Sequence, residues 1–532
     1  MTTTVPTPPT APPLDGWPGG HPLRRQILVV LCASLLVVVI DNTVLNTALP
    51  TLARALHAGT STLQWIVDAY TVCFAALLVP AGALGDRFGR RRTLVAGLAV
   101  FAASSLAAAF APGSGLLVAD RVVMGVGAAL VMPSTLSILT DVFPPAERPG
   151  AIGAWSAVVG VGVVLGPTVG GLLLAHFFWG SVFVVNVPLS LLALAGVVLV
   201  VPESADSRPR PLDLVGSVLA AAGLVTVVDA IIEAPGRGWT SPVTLALAAG
   251  GVVALASFVA WELRVDHPLL DLRVFASRSF SASAGAVTVI FFSLFGSLFA
   301  FTQYLQLVHG YSPLSAGVRA LPFALAMGAT SPVSTVLARR VGSRPVVTGG
   351  LLLMAAGLTA LSTVSVGTTY PVLAAAVAVM GAGMGLVMAP ASTTIMAVTP
   401  PGQAGAGSAV NDTIREVGGA LGVAAVGSVT AARFASVLRP QLLAHRAPAA
   451  LTRAATSSIA AADAVGRHVG GPAGRLLVDS AHQAYVRGMA SGIRAAAGVA
   501  LLGALAACIA LPGRRSGGLA TLEVHAESAV AA

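Results

Sequence analysis

The sequence predicts an all-α polytopic membrane protein, and three observations predict it. Apolar residues make up 56% of the 532 residues and charged residues only 10%, where soluble domains carry about 25% charged residues. So few charges cannot cover a water-facing surface, so lipid must solvate much of the chain. The apolar residues fall into runs of membrane-spanning length, about 20 residues each. Arg residues concentrate in alternate loops between those runs. The chain is also rich in Gly (58 residues), which lets membrane helices pack backbone to backbone.

Taken in order, residues 1–25 form a Pro- and Thr-rich tail with nothing to bury. Fourteen apolar runs follow, at about 26–48, 62–84, 93–111, 116–139, 150–174, 180–201, 213–233, 243–263, 280–305, 314–338, 346–365, 371–393, 406–432 and 490–511. The first is too long for a signal-peptide core and contains Asp41. Loops on one side hold Arg24, Arg25, Arg87, Arg90–Arg92, Arg148, Arg208, Arg210, Arg264, Arg273, Arg278, Arg339, Arg340, Arg344, Arg514 and Arg515; the opposite short loops hold Arg54 and Arg237. The positive-inside rule makes the first set cytoplasmic and puts both termini inside the cell membrane. The stretch 433–489 falls outside with seven Arg and is an exception to the rule. Within it, 475–489 reads as an amphipathic helix lying on the membrane or over a vestibule.

The halves repeat. Residues 82–91, GALGDRFGRR, align without a gap to 335–344, TVLARRVGSR. Met124, Gly125 and Gly127 are echoed by Met380, Gly381 and Gly383. Both echoes lie eight spans apart, the offset expected of two six-helix units separated by two extra helices. The expected domains are a six-helix bundle at 26–201, two accessory helices at 202–265, a second bundle at 266–512 containing the external loop 433–489, and a tail at 513–532.

Several function classes are excluded. The 30 basic residues are all Arg, so a phosphate-cradling loop with its Lys cannot be present. No nucleophile elbow or zinc spacing occurs, and an enzyme is not expected. Cys32, Cys73 and Cys508 lie inside apolar runs and imply neither disulfide nor metal. The net charge of +9 is spread between spans, which reads as topology and not as a nucleic-acid surface.

The polar residues inside spans are the candidates for chemistry. A carboxylate at Asp41 must face a cavity or be protonated part of the time. It reads as a proton- or cation-binding acid, or as a packing carboxylate bonded by Asn42 and Thr43. Arg121 keeps its charge and needs a partner. Asp41 is one candidate, and snorkelling beside Asp120 is the alternative. Gly162, Gly166 and Gly170 recur every four residues, which places them on one helix face for close packing, and Pro167 interrupts the helical hydrogen bonds there. In the thirteenth span Asp412 and Glu416 share one face and Asn411 and Arg415 another, lining a path or neutralising one another. Asp68, Gln303 and Tyr304 are further candidates for a substrate path.

Four segments carry a family resemblance: DNTVLNTALP at 41–50, GALGDRFGRRR at 82–92, RVVMGVGAA at 121–129 and GVGVVLGPTVGG at 160–171. In order and on the matching spans, they resemble the fourteen-helix drug:proton antiporters of the major facilitator superfamily. Two departures are Met124, where the family often has glutamine, and WGSVF at 179–183, which lacks an arginine after the tryptophan. The resemblance implies two six-helix bundles and two accessory helices outside the transport core. It implies proton coupling at Asp41 and Arg121, and a conformational latch at Asp86, Arg87, Gly89, Arg90 and Arg91. It also implies an antiporter motif at Gly162, Gly166, Pro167, Gly170 and Gly171. The implied activity is multidrug efflux by a monomer that draws on the proton motive force, needs no cofactor, and has a small molecule, protons and the lipid bilayer as its partners. The residues alone leave open export of an endogenous metabolite or lipid, nutrient uptake, or a non-transporting scaffold or sensor.

Overall fold

The computed structural model describes residues 20–144, 146–205, 213–266, 268, 270, 272–397 and 404–511. The first nineteen residues of the tail, Arg208, Arg210, Arg514 and Arg515 lie outside the described residues.

The described residues form α1 (Arg24–Ala55), α2 (Thr60–Phe88), α3 (Arg90–Ala109), α4 (Ser114–Val142), α5 (Arg148–His176), α6 (Ser181–Val184), α7 (Asn186–Val200), α8 (Leu214–Arg237) and α9 (Pro242–Glu262). Then come α10 (Arg278–Gln303), α11 (Pro313–Arg319), α12 (Leu321–Val341), α13 (Ser343–Leu361), α14 (Tyr370–Ala397), α15 (Ala404–Ala444), α16 (Ala449–Ala455), α17 (Ile459–Val469) and α18 (Gly471–Ala510). Among the described residues, 13 spans are long and apolar enough to cross a membrane. The 29-residue α5 stands where the fifth span is expected and completes the set.

Two expected spans are interrupted. The sixth breaks between α6 and α7, where Pro188 cannot donate to the carbonyl four residues back. The tenth breaks between α11 and α12, ahead of Pro322. A correction concerns 475–489. It does not lie on the membrane as a separate element but is one continuous 40-residue helix with the last span. The reason is a partner. The equally long α15 runs past the expected span, and Gly488 and Gly492 of α18 seat against Thr430 and Phe434 of α15. With α16 and α17, the ends of these helices form a helical cap.

The repeat is built into the packing. Gly89 and Gly342 end α2 and α12 with φ of 107° and 95°, a backbone region that other residues enter only with strain. Gly125 lies against the carbonyl of Tyr70, and Gly381 against that of Phe323. Gly127 meets Gly97 as Gly383 meets Gly350. Thus α4 packs on α2 and α3 as α14 packs on α12 and α13.

The bundles meet along two seams, α2 with α15 and α5 with α11 and α12. Both are tight at the end that carries the cap. Gln64 Nε2 donates to the carbonyls of Val423 and Ala424 at 3.1 and 2.9 Å, and Gln306 Nε2 donates to that of Thr47 at 2.8 Å. Thr60 N donates to Ser457 O of the cap at 3.2 Å. Gly171 abuts Leu314, and Gly317 abuts Pro167. The accessory helices stand outside the bundles, but α8 leans on α2 and α15, with Val228 and Ile232 packed among Val72, Ala75, Ala420 and Ala424.

Candidate functional site

Asp41 and Arg121 are brought together. Both are 1% exposed, and Arg121 Nη1 lies 2.6 Å from Asp41 Oδ2. Helix α1 supplies the acid and α4 the base, 80 residues apart in sequence. The geometry rules out snorkelling of Arg121 beside Asp120. Asn186 Nδ2 donates to the other carboxylate oxygen at 2.8 Å and to Ser105 Oγ at 3.1 Å. Arg121 Nε donates to Ile66 O at 3.0 Å, and its guanidinium lies over the Tyr70 ring, 4.2 Å from the centroid. Where the family often has glutamine, the Met124 sulfur sits 3.7 Å from Arg121 Nη1. A charge-assisted pair with this many partners is held in one geometry, and protonating Asp41 removes the charge that holds Arg121.

Asn186 was not among the sequence candidates. Its signal is weak: one polar residue ahead of a proline, at the break between α6 and α7. That break puts its amide at the carboxylate.

The glycines of α5 face α1. A Cβ on Gly162 would meet Val39, one on Gly166 would overlap the Thr43 hydroxyl, and one on Gly170 would meet Val44. Thr43 Oγ1 donates to Gly162 O at 3.2 Å, besides Val39 O in its own helix. Gly171 and Pro167 face α11 instead. The motif therefore touches the acid-bearing helix on one side and the other bundle on the other.

The loop after α2 is tied within the first bundle. Arg90 pairs with Asp86 at 2.8 Å and with Asp141 of α4. The Arg91 backbone N–H donates to Glu203 Oε1 at 3.1 Å, and Arg91 Nη2 donates to Val198 O at 2.7 Å. Arg87 is exposed over the Phe88 ring. Asp141 and Glu203 complete this network and were not singled out in the sequence.

In α15, Arg415 pairs with Asp412 at 3.3 Å and donates to Ser392 Oγ of α14 at 3.4 Å; that hydroxyl in turn donates to Asn411 Oδ1 at 3.5 Å. Glu416, one turn further along α15, is half-buried. Asp68 is fully buried one turn below Gln64, and neither carboxylate oxygen has a hydrogen-bond partner among the described residues. Gln303 and Tyr304 stand apart: Gln303 donates to Phe299 O at 3.2 Å and Tyr304 to Ser365 O at 2.7 Å.

A duplicated helical bundle with a buried acid–base pair and two inter-bundle seams is the build of a secondary transporter. Residues 31–423 match the Major Facilitator Superfamily model, and the chain belongs to that family. It is 35% identical over 490 residues to the tetracenomycin C resistance and export protein of Streptomyces glaucescens, covering 90% of each chain. It is 38% identical over 475 residues to the multidrug efflux pump LfrA of Mycolicibacterium smegmatis, covering 88% of this chain and 93% of that one. Its fold resembles a bacterial homologue of the human lysosomal transporter Spinster in an inward-facing, unoccupied conformation. There the TM-score is 0.64 at 18% identity, covering 93% of this chain and 100% of that one.

Proposed function

We propose that this chain exports small amphipathic organic molecules, antibiotics and other drugs among them, from the cytoplasm in exchange for protons, and so confers resistance. The observation that carries the reading is the Asp41 carboxylate, buried inside the membrane-spanning helix α1 and held by Arg121 and Asn186. The resistance and export relatives support the cargo class. The Arg bias of the loops supports a cytoplasmic-membrane location with both termini inside. On that orientation the cap end, where the seams are closed, faces outward. Proton entry from outside neutralises Asp41 and frees Arg121, and α1 shifts against the α5 glycines. Each proton driven by 100 mV supplies about 2.3 kcal/mol. The proton motive force is the sole energy source, no cofactor takes part, and one chain holds both bundles, so a monomer suffices.

Purified protein in proteoliposomes tests this. With a cationic dye as cargo, export against a gradient must move protons the opposite way and must stop when potential and pH difference are both collapsed. Uphill movement that survives the collapse rejects the proposal.

A further inference from the structure

The cap end of the second bundle carries charge that topology does not explain. Between residues 433 and 494 stand eight Arg and two acidic residues, Asp463 and Asp479. Asp463 is paired with His482 at 3.0 Å. All eight Arg are exposed, and none has an ion-pair partner among the described residues.

Three of them gather at one place. An open groove of about 400 Å³ lies between the α8–α9 turn and the second bundle, lined by Trp239, Val429, Ala432, Arg433, Ser436 and Ser491. Arg487 and Arg494 stand four residues before and three after Ser491, so they share its face of α18. Gly488 meets Phe434 and Gly492 meets Val426, so α15 and α18 run antiparallel here. A helical side chain leans toward the N-terminus of its own helix. Arg433 therefore leans from the cap toward the spans and Arg494 from the spans toward the cap, and the two converge at the level of Ser491.

That level is a membrane interface. The apolar runs of these two helices end at about 432 and begin at about 490, and Trp239 lies between runs that end at about 233 and begin at about 243. Its indole is 48% exposed, as befits an anchor at headgroup depth. Arg237, which precedes that turn, is taken by Asp229 at 3.1 Å. The groove's hydroxyls donate within their own helices, Ser436 to Arg433 O at 2.9 Å and Ser491 to Arg487 O at 3.0 Å. The charged donors left for a ligand are guanidiniums, whose planar forks match phosphate oxygens. Val429 and Ala432 give the groove an apolar wall beside them, which a free anion would not use and an acyl chain would.

We propose that this groove binds an anionic phospholipid, with Arg433 and Arg494 on its phosphate, Trp239 beside the headgroup and the acyl chains along Val429 and Ala432. The bound lipid joins the accessory pair to the second bundle at the end where the cap closes the seams. The proposal needs the chain to sit in a bilayer and does not depend on what it transports.

The test is native mass spectrometry of the full purified chain, titrated with dioleoylphosphatidylglycerol and, separately, with dioleoylphosphatidylcholine. The first phosphatidylglycerol is expected to bind more tightly than phosphatidylcholine. Arg433→Gln with Arg494→Gln, confirmed monodisperse, is expected to weaken its apparent Kd by about fivefold for each charge removed. Arg453→Gln with Arg467→Gln makes the same charge change in α16 and α17 and should leave that Kd unchanged. If the groove pair does not fold, Arg494→Gln alone decides. Unchanged affinity in the groove variant overturns the site. An equal loss in both pairs means diffuse attraction to a basic cap and overturns it too. Equal affinity for the two lipids, or displacement of the lipid by an equal concentration of inorganic phosphate, overturns the anionic-lipid assignment.

Discussion

Replacing Asp41 with Asn leaves Arg121 buried without its counter-charge. The guanidinium keeps the Ile66 carbonyl, the Met124 sulfur and the Tyr70 ring, none of which carries a charge. Removing one partner of a buried pair costs roughly 3–5 kcal/mol. Asparagine keeps one carboxamide oxygen for Asn186, so the lower end, about 3 kcal/mol, is expected. Replacing both partners, as in Asp41→Asn with Arg121→Met, removes the stranded charge and should recover most of that loss, because apolar substitutes for a buried pair are often neutral or better. The assay is thermal melting in lipid nanodiscs of the wild type, both single variants and the double variant, beside proton-coupled transport in proteoliposomes. The single variants should melt several degrees lower, and the double variant should melt near the wild type while coupling nothing. A single variant as stable as the wild type, or a double variant worse than either single, would refute the reasoning that the pair is ionised and mutually satisfied.

Asn186→Leu removes a hydrogen bond to a charged carboxylate and should destabilise by roughly 1.5–3 kcal/mol. Melting reads the loss, and dye uptake by inverted vesicles reads slower exchange. Gly166→Ala forces a Cβ onto the Thr43 hydroxyl and should cost roughly 1–3 kcal/mol; adding Thr43→Ala should recover part of it, with a coupling of about 0.5–3 kcal/mol in the double-mutant cycle. At the exposed start of α1, the hydrogen bond and charge of Arg24 hold the Glu147 carboxyl below its ordinary range. That stabilisation is full above the ordinary carboxylate range and is lost as pH falls through the lowered value. Melting curves of wild type and Glu147→Gln at low salt should therefore keep a constant small offset between about pH 5 and 8 and converge in acid.

The spans, the doubled architecture and the two buried charges were legible because each leaves a local mark. A bilayer demands a long apolar run, and an Asp or Arg inside one has few structural excuses. The alignment of Gly89 with Gly342 was legible because a tight turn with positive φ leaves little choice of residue. Asn186 was not legible, since nothing near it in sequence announces a carboxylate 145 residues away. The continuity of α18 was missed for a similar reason: an amphipathic stretch looks the same on a membrane surface as against the extended α15.

The sequence by itself determined that this protein lives in a bilayer, crosses it with a duplicated set of helices and carries ionisable groups where hydrocarbon would reject them, because hydropathy and periodicity are properties of short segments. Tertiary structure alone decided which of those groups meet and which end of the seams is shut. Contacts and cavities belong to several helices at once, and the space that no side chain fills leaves no letter in the chain.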